Sequence, residues 1–147
     1  MFRYHSFYRK FRTMGCRFTL TRQAILDILN RTSGHLSTAE IFAAVNRIYP
    51  GIGIATIYRT LDLLSRMGLI FKFEFGDGKS RYELVESNKG HHHHLVCNGC
   101  GRIIDYSDFM NKEVKFIKEL EKELAEKHNF KINSHQINFY GLCEKCA

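Results

Sequence analysis

Ten consecutive residues, from His91 through His92, His93, His94, Leu95, Val96, Cys97, Asn98 and Gly99 to Cys100, carry four imidazoles and two thiols. Two cysteines separated by two residues can place both sulfurs on one metal ion, and a glycine between them lets the loop fold back without a Cβ penalty. A second such pair, Cys143 and Cys146, closes the chain after 42 intervening residues. Four thiolates are the complete ligand set of a tetrahedral structural zinc ion. Two disulfides, each spanning only two residues, would be strained redox bridges, and no thioredoxin-like pattern accompanies them. The histidine run has a different logic. Side chains alternate along an extended chain, so His92 and His94 face one way while His91 and His93 face the other, and one short stretch can serve two metal sites. The alternative is a solvated polyhistidine loop.

These donors need elements to hold them. Residues 1–14 interleave Tyr4, Phe7, Tyr8 and Phe11 with Arg3, Arg9, Lys10 and Arg12, which predicts an amphipathic helix ended by Gly15. A second helix begins at Thr19 as cap and turns Ile25, Ile28 and Leu29 inward. Ser37 with Glu40 three residues later forms a capping box for a third, buried through Ile41, Phe42 and Val45 and stopping near Pro50. The fourth spans residues 54–67, with Ile54, Ile57, Leu61 and Leu64 inward and Thr56, Tyr58, Arg59, Asp62 and Arg66 outward. Residues 69–75 and 80–85 then alternate as two strands around a turn at Gly76, Asp77 and Gly78. Three helices followed by a hairpin make a winged helix-turn-helix, whose last helix enters the major groove while the wing flanks the backbone. A solvated helix face is the alternative for Tyr58 and Arg59.

After residues 86–90 the pattern changes. Two short strands flank the Cys97/Cys100 knuckle, a helix over residues 107–128 points Val114, Ile117, Leu120 and Leu124 inward, and a last strand over residues 135–140 leads into Cys143 and Cys146. The expected fold is therefore α+β: an N-terminal winged helix-turn-helix domain over residues 1–86, a linker over 87–90, and a small C-terminal α/β dimerisation domain over 91–147. A unit of 57 residues is small enough to need staples, which both zinc and dimerisation supply.

Charge divides the chain in the same way. The net charge is +7, and residues 1–90 hold 14 Lys/Arg against 7 Asp/Glu, whereas residues 91–147 hold 8 against 8. A basic half joined to a neutral half fits a nucleic-acid-binding domain joined to a sensing or assembly domain. No signal peptide, lipidation motif or run of eighteen apolar residues occurs, so a soluble cytoplasmic protein with reduced thiols and no membrane partner is expected.

Taken together, the segment Ala55-Thr56-Ile57-Tyr58-Arg59-Thr60-Leu61, the run His92-x-His94-x-x-Cys97-x-x-Cys100-Gly101, and the C-terminal His135-x₄-Tyr140-Gly141-x-Cys143-x₂-Cys146 resemble the ferric uptake regulator family of metal-dependent repressors. The resemblance implies that Cys97, Cys100, Cys143 and Cys146 hold a structural zinc. It implies a regulatory divalent ion (Fe²⁺ or Mn²⁺, with Zn²⁺ or Ni²⁺ also compatible with such ligands) on His35, Glu83, His92, His94 and Asp105. His91, His93 and His135 resemble ligands of a further site, completed by Glu113 or Glu119. Tyr58 and Arg59 match residues that read base edges, and Arg17 matches a basic residue that reaches the minor groove. The implied protein is a homodimer that binds an inverted-repeat operator in double-stranded DNA and represses iron-homeostasis or peroxide-stress genes. Aspartate at position 105 is the choice of peroxide-sensing relatives, whereas glutamate at position 83 is not, so the branch stays open. Cys16 falls at a variable position and is expected to be a small buried residue, while His5 and His128 are expected at the surface. From other classes, a zinc-dependent hydrolase would require an open coordination position and a general base, and a zinc-ribbon RNA-binding protein would prefer single strands.

Overall fold

The computed structural model describes residues 3–32, 34–85, 92–108 and 110–147, and the side chains of all these except 3–6 and 110. The chain divides into two compact units, Met1–Asn88 and Lys89–Ala147. Residues 86–91, where the expected linker and His91 fall, lie outside the described residues, as does the side chain of His5.

In the first unit, α1 (Arg3–Thr13), α2 (Leu20–Arg31), α3 (Thr38–Ile48) and α4 (Ile54–Arg66) precede β2 (Ile70–Glu74) and β3 (Ser80–Leu84), with a two-residue β1 (Leu36–Ser37) before α3. The helix starts follow local chemistry. The Thr19 hydroxyl accepts from the amide of Arg22 at 3.5 Å, and Ser37 and Glu40 form a reciprocal capping box, with the Ser37 amide donating to Glu40 Oε2 at 2.7 Å. Gly68 ends α4 in a left-handed conformation, φ 65°. Ile25, Leu26, Leu29, Ile41, Val45, Ile57, Leu61, Leu64, Leu69 and Leu84 close one apolar core, which Phe7 and Phe11 of α1 join. Cys16 is half-buried against this core.

Ile54 departs from the expected inward face: it is 42% exposed. It lies one turn before Ile57 on the same side of α4, but as the first residue of the helix it projects past the end of the core. The strand β1 has no signal in the sequence because two residues carry no period. It pairs antiparallel with the wing, Leu36 opposite Tyr82 and Ser37 opposite Arg81, giving the sheet order β1-β3-β2.

The second unit contains β4 (His93–Cys97), β5 (Ile103–Tyr106), α5 (Met110–His128) and β6 (Asn138–Gly141). Its sheet runs β5-β4-β6, β4 antiparallel to β5 and parallel to β6. The parallel pairing needs a long crossover, which α5 provides. Leu120 and Leu124 are 39% and 41% exposed, not buried as the helical period suggested. The period identified an apolar stripe correctly: Val114 and Ile117 are half-buried, while Leu120 and Leu124 lie exposed. Across the sheet, Leu95 pairs with Ile104 on one side and Phe139 on the other, and all three are exposed. With Leu142 they line an open groove of about 220 Å³. Among the described residues no helix is long and apolar enough to cross a membrane.

Candidate metal centres and nucleic-acid interface

The two knuckles meet because β4 and β6 run in parallel register. His94 lies opposite Asn138 and Cys97 opposite Gly141, so Cys97 and Cys100, at the end of β4, face Cys143 and Cys146, just beyond β6. One sulfur from each of the four cysteines lies within 4.8 Å of the others. Cys100 Sγ and Cys143 Sγ are 3.8 Å apart, far longer than an S–S bond. The amide of Cys143 donates to Cys97 Sγ at 3.3 Å. Backbone N–H groups of Cys100 and Cys143 hold the Cys97 thiol down at about 6. Hydrogen bonding to Cys143, Cys100 and Cys97 pushes Cys146 up to about 12. Four thiolates repel one another at this spacing, and a dication at their centre removes the conflict. The donor set, softness and closed geometry fit zinc in a structural role.

Gly99 has a different role from the one its sequence position suggested. The left-handed residue of this knuckle is Gly101, φ 73°. At Gly99 the constraint is contact across the two knuckles: a Cβ there would lie 2.8 Å from Cys146 Cβ and 3.0 Å from its sulfur.

The two faces of β4 carry different chemistry. On one face, the rings of His92 and His94 meet edge to face at 5.2 Å. His94 Nδ1 and Asn138 Oδ1 are 3.1 Å apart; with the proton on Nδ1, the lone pair is on Nε2, which lies 3.7 Å from Asp105 Oδ1. That separation exceeds a hydrogen bond. It is close to the ~3 to 3.5 Å expected between two ligand atoms that each stand about 2.1 Å from one ion. Motif spacing did not reveal this contact of Asn138, which becomes visible only through the β4/β6 register.

On the other face His93, 1% exposed, points toward α5. Its Nε2 lies 3.2 Å from Glu113 Oε1, to which the Tyr106 hydroxyl donates at 3.4 Å. The His135 ring is 5.9 Å from that of His93, and its Nδ1 is 2.8 Å from Glu121 Oε1. Burial and the Glu113 carboxylate raise the Tyr106 hydroxyl above its ordinary range. Of the two acids suggested by sequence, Glu113 is the one at His93, while Glu119 is exposed. Glu121 joins the cluster unpredicted, two turns of α5 beyond Glu113 on the same face. His128 is exposed, as expected.

In the first unit the short β1 does the positioning. Continuing its register by one residue brings His35 opposite Glu83, and His35 Nε2 stands 2.8 Å from Glu83 Oε2. Phe73 and Phe75 fix the ring orientation, meeting it edge to face at 5.0 and 6.0 Å and stacking on each other 8° from parallel. Arg81 lies over Phe75, 5.7 Å from its centroid, and is tied to Asp77 at the wing turn at 2.6 Å. That ion pair holds the Asp77 carboxyl down at about 2. The aromatic support was hidden in the sequence because alternating phenylalanines read simply as a strand.

The outward face of α4 presents Thr56, Tyr58, Arg59, Asp62 and Arg66, all exposed, with Arg66 and Asp62 paired at 2.9 Å. Arg17 is exposed in the turn before α2, where its carbonyl accepts from the Arg22 guanidinium.

The ferric uptake regulator family model matches residues 13–140. The chain belongs to this family. Among curated relatives, the ferric uptake regulation protein of Bacillus subtilis is 36% identical over 132 residues, covering 88% of this chain and 85% of the relative. The peroxide operon regulator of the same organism is 31% identical over 133 residues, covering 90% and 86%. Among solved structures, the Helicobacter pylori ferric uptake regulator superposes with a TM-score of 0.71 at 26% identity, covering 97% of this chain and 89% of that one; that protein has three functional metal-binding sites. The Campylobacter jejuni peroxide stress regulator gives a TM-score of 0.66 at 27% identity, covering 99% and 100%. Members of the family are metal-responsive transcriptional regulators, and this chain is such a regulator and not an enzyme.

Proposed function

We propose that this family member is a homodimeric repressor whose grip on an inverted-repeat operator is set by a divalent ion drawn from both units. Cys97, Cys100, Cys143 and Cys146 hold a structural zinc that ties the end of β6 to β4. His35 and Glu83 from the first unit, with His92, His94 and Asp105 from the second, hold the regulatory ion, Fe²⁺ or Mn²⁺. When bound, that ion supplies one positive centre shared by five donors. The residues do the rest. Asn138 holds His94 Nδ1 and so leaves Nε2 beside Asp105, Phe73 and Phe75 keep His35 edge-on, and Glu83 stays aligned by the β1/β3 register.

Drawing the donors together fixes the angle between units. In a dimer this sets the spacing of two α4 helices, so that Tyr58 and Arg59 of each can reach base edges in successive major grooves and Arg17 the minor groove. The ion acts as a switch only because one arrangement of the units binds it better than others. His93, His135, Glu113 and Glu121, with His91, form a further metal site facing α5. The uncovered row of Leu95, Ile104 and Phe139 supports pairing of second units, since apolar rows of this kind on a sheet usually mark an interface.

The observation that carries the reading is the repeated pairing of a buried histidine with a carboxylate, His35 with Glu83 and His94 with Asp105, in a chain that also holds a zinc-type thiol cluster. A second reading, peroxide sensing, is favoured by the aspartate at position 105.

The deciding experiment uses protein that retains zinc but lacks the regulatory ion. Fe²⁺, Mn²⁺, Zn²⁺ and Ni²⁺ are added separately, without oxygen, to duplexes enriched from a random pool, and peroxide then follows. Binding promoted by Fe²⁺ and Mn²⁺, with peroxide abolishing only the iron-loaded form, identifies a peroxide sensor. Binding promoted by iron and little changed by peroxide identifies an iron regulator. Metal-independent binding would remove His35, Glu83, His92, His94 and Asp105 from the switch.

A further inference from the structure

The first 26 residues contain six basic side chains, Arg3, Arg9, Lys10, Arg12, Arg17 and Arg22, and no acid; Asp27 is the first. So one-sided a charge is costly to keep on a small unit unless something anionic meets it. The structure shows where it is presented. Helix α1 is anchored by Phe7 and Phe11, 3% and 1% exposed, so its outer face is fixed and carries the exposed Arg9 and Arg12. Beside it runs an open groove of about 350 Å³ lined by Tyr8, Phe11, Arg12, Cys16, Arg17 and Phe18. The groove has an aromatic floor: the Phe11 and Phe18 rings are 5.0 Å apart, and Tyr8 meets Phe18 edge-on at 6.2 Å. Its rim is cationic. Arg22 lies 5.6 Å over the Phe11 ring and donates to the Arg17 carbonyl, which braces the turn that presents Arg17.

From this geometry we infer that α1 and its groove form a second, sequence-independent DNA contact, in which Arg9 and Arg12 hold the phosphodiester backbone just outside the base pairs met by Tyr58 and Arg59. The inference rests on the proposal that Arg17 enters the minor groove. Arg12 and Arg17 line the same groove of the protein, so a duplex whose minor groove receives Arg17 passes Arg12 as well. Guanidinium groups on the rim match phosphate oxygens, and the exposed Tyr8 ring with the half-buried Phe18 offers the deoxyriboses an apolar face, while Phe11 beneath them is buried. Such contacts carry no sequence information. They lengthen the footprint and steepen the salt dependence of binding.

The test uses full-length zinc-containing protein with Mn²⁺ and a 40-base-pair duplex enriched from a random pool by the wild type. Wild type, R9Q/R12Q and R9K/R12K are compared by salt titration and by footprinting. Both arginines are exposed, so the substitutions leave the α1 anchor intact, and far-ultraviolet circular dichroism verifies it. For a dimer losing two phosphate contacts per protomer, the slope of log binding constant against log salt should fall by about 3.6 in R9Q/R12Q. The footprint should shorten at both outer edges, the preferred sequence should stay the same, and R9K/R12K should restore the slope. An unchanged slope and footprint in R9Q/R12Q would show that this face is merely solvated and overturn the inference. A changed sequence preference would overturn it too, by placing these residues in base readout. If the wild type enriches no duplex at all, the repressor reading itself fails, and that outcome is distinct from either of the others.

Discussion

The two units of this chain reach stability by opposite routes. The first closes a core of aliphatic side chains from three helices and a wing, and its polar groups lie at the edges. In the second, the apolar side chains buried among the described residues are Val96 and Cys97, and beside them are buried two histidines, His93 and His94. Four of its large apolar groups, Phe116, Phe130, Phe139 and Leu142, are more than half exposed. Hydrophobic burial therefore accounts for the first unit. The second is held by donor clusters and leaves apolar side chains exposed. A module whose interior consists of ligands is a good sensor, because occupancy of those ligands and order of the module are thermodynamically one quantity.

The contrast can be broken most severely at the zinc cluster. Replacing Cys143 with Ser, or chelating zinc under reducing conditions, should unfold the second unit and leave the first protected. Structural zinc contributes on the order of 10 kcal/mol in small domains of this kind. Hydrogen exchange across the full chain reads both units at once, and simultaneous loss of protection in both would contradict the division of labour. The same cluster predicts a pH dependence. Because the Cys97 thiol is held down at about 6, below its ordinary 9, its ionised form is favoured in the folded unit. That contribution is fully present above pH 9 and is lost as pH falls through about 6.

The reciprocal experiment is Leu61→Ala. Leu61 is fully buried in the first unit, and its truncation should cost about 2–5 kcal/mol with no change in zinc content, measured by denaturant unfolding and metal analysis on the same sample. Loss of zinc would show that the units are not energetically separate.

A sharper probe of the ligand-held unit is Gly99→Ala. The added methyl would lie 2.8 Å from Cys146 Cβ, so one knuckle must shift, at a cost of roughly 1–3 kcal/mol. Competition with a chelator should reveal the shift as weakened zinc binding, whereas Gly101→Ala would act through backbone strain at φ 73° instead. Unaltered zinc affinity in Gly99→Ala would show that the knuckles tolerate separation.

The smallest effect is expected at Asn138→Ala. Freed from its hydrogen bond, the His94 ring can turn, and affinity for the regulatory ion should fall about 10- to 100-fold while the zinc stays bound. Calorimetric titration with Mn²⁺ separates the two sites. Unchanged Mn²⁺ affinity would mean that Asn138 merely completes the β4/β6 ladder.

What could be read from the chain alone follows from how local each signal is. Helix caps act over three residues, so the starts of α2 and α3 were legible at Thr19 and Ser37. The alternation of His91 to His94 is a period-2 signal, and His93 and His94 do face opposite clusters. Periodicity also found the apolar stripe of α5, but a stripe says that a face seeks cover without saying where the cover is, so Leu120 and Leu124 were misplaced. Ile54 shows the same limit at the end of a helix. Glu121, Phe73, Phe75 and Asn138 carried no motif at all; they matter through neighbours that are close in space and distant along the chain.

The donor inventory, the CxxC spacing, the two-part organisation and the charge asymmetry are legible in the chain, because they depend on residue type and short-range geometry. Tertiary structure decided which donors share a site. The β1/β3 register aligns His35 with Glu83, the parallel β4/β6 pairing presents His94 through Asn138, and the packing of one knuckle against the other gives Gly99 its constraint. A register is a choice among pairings of similar local energy, and burial of the side chains on each face selects it only when the strands come together.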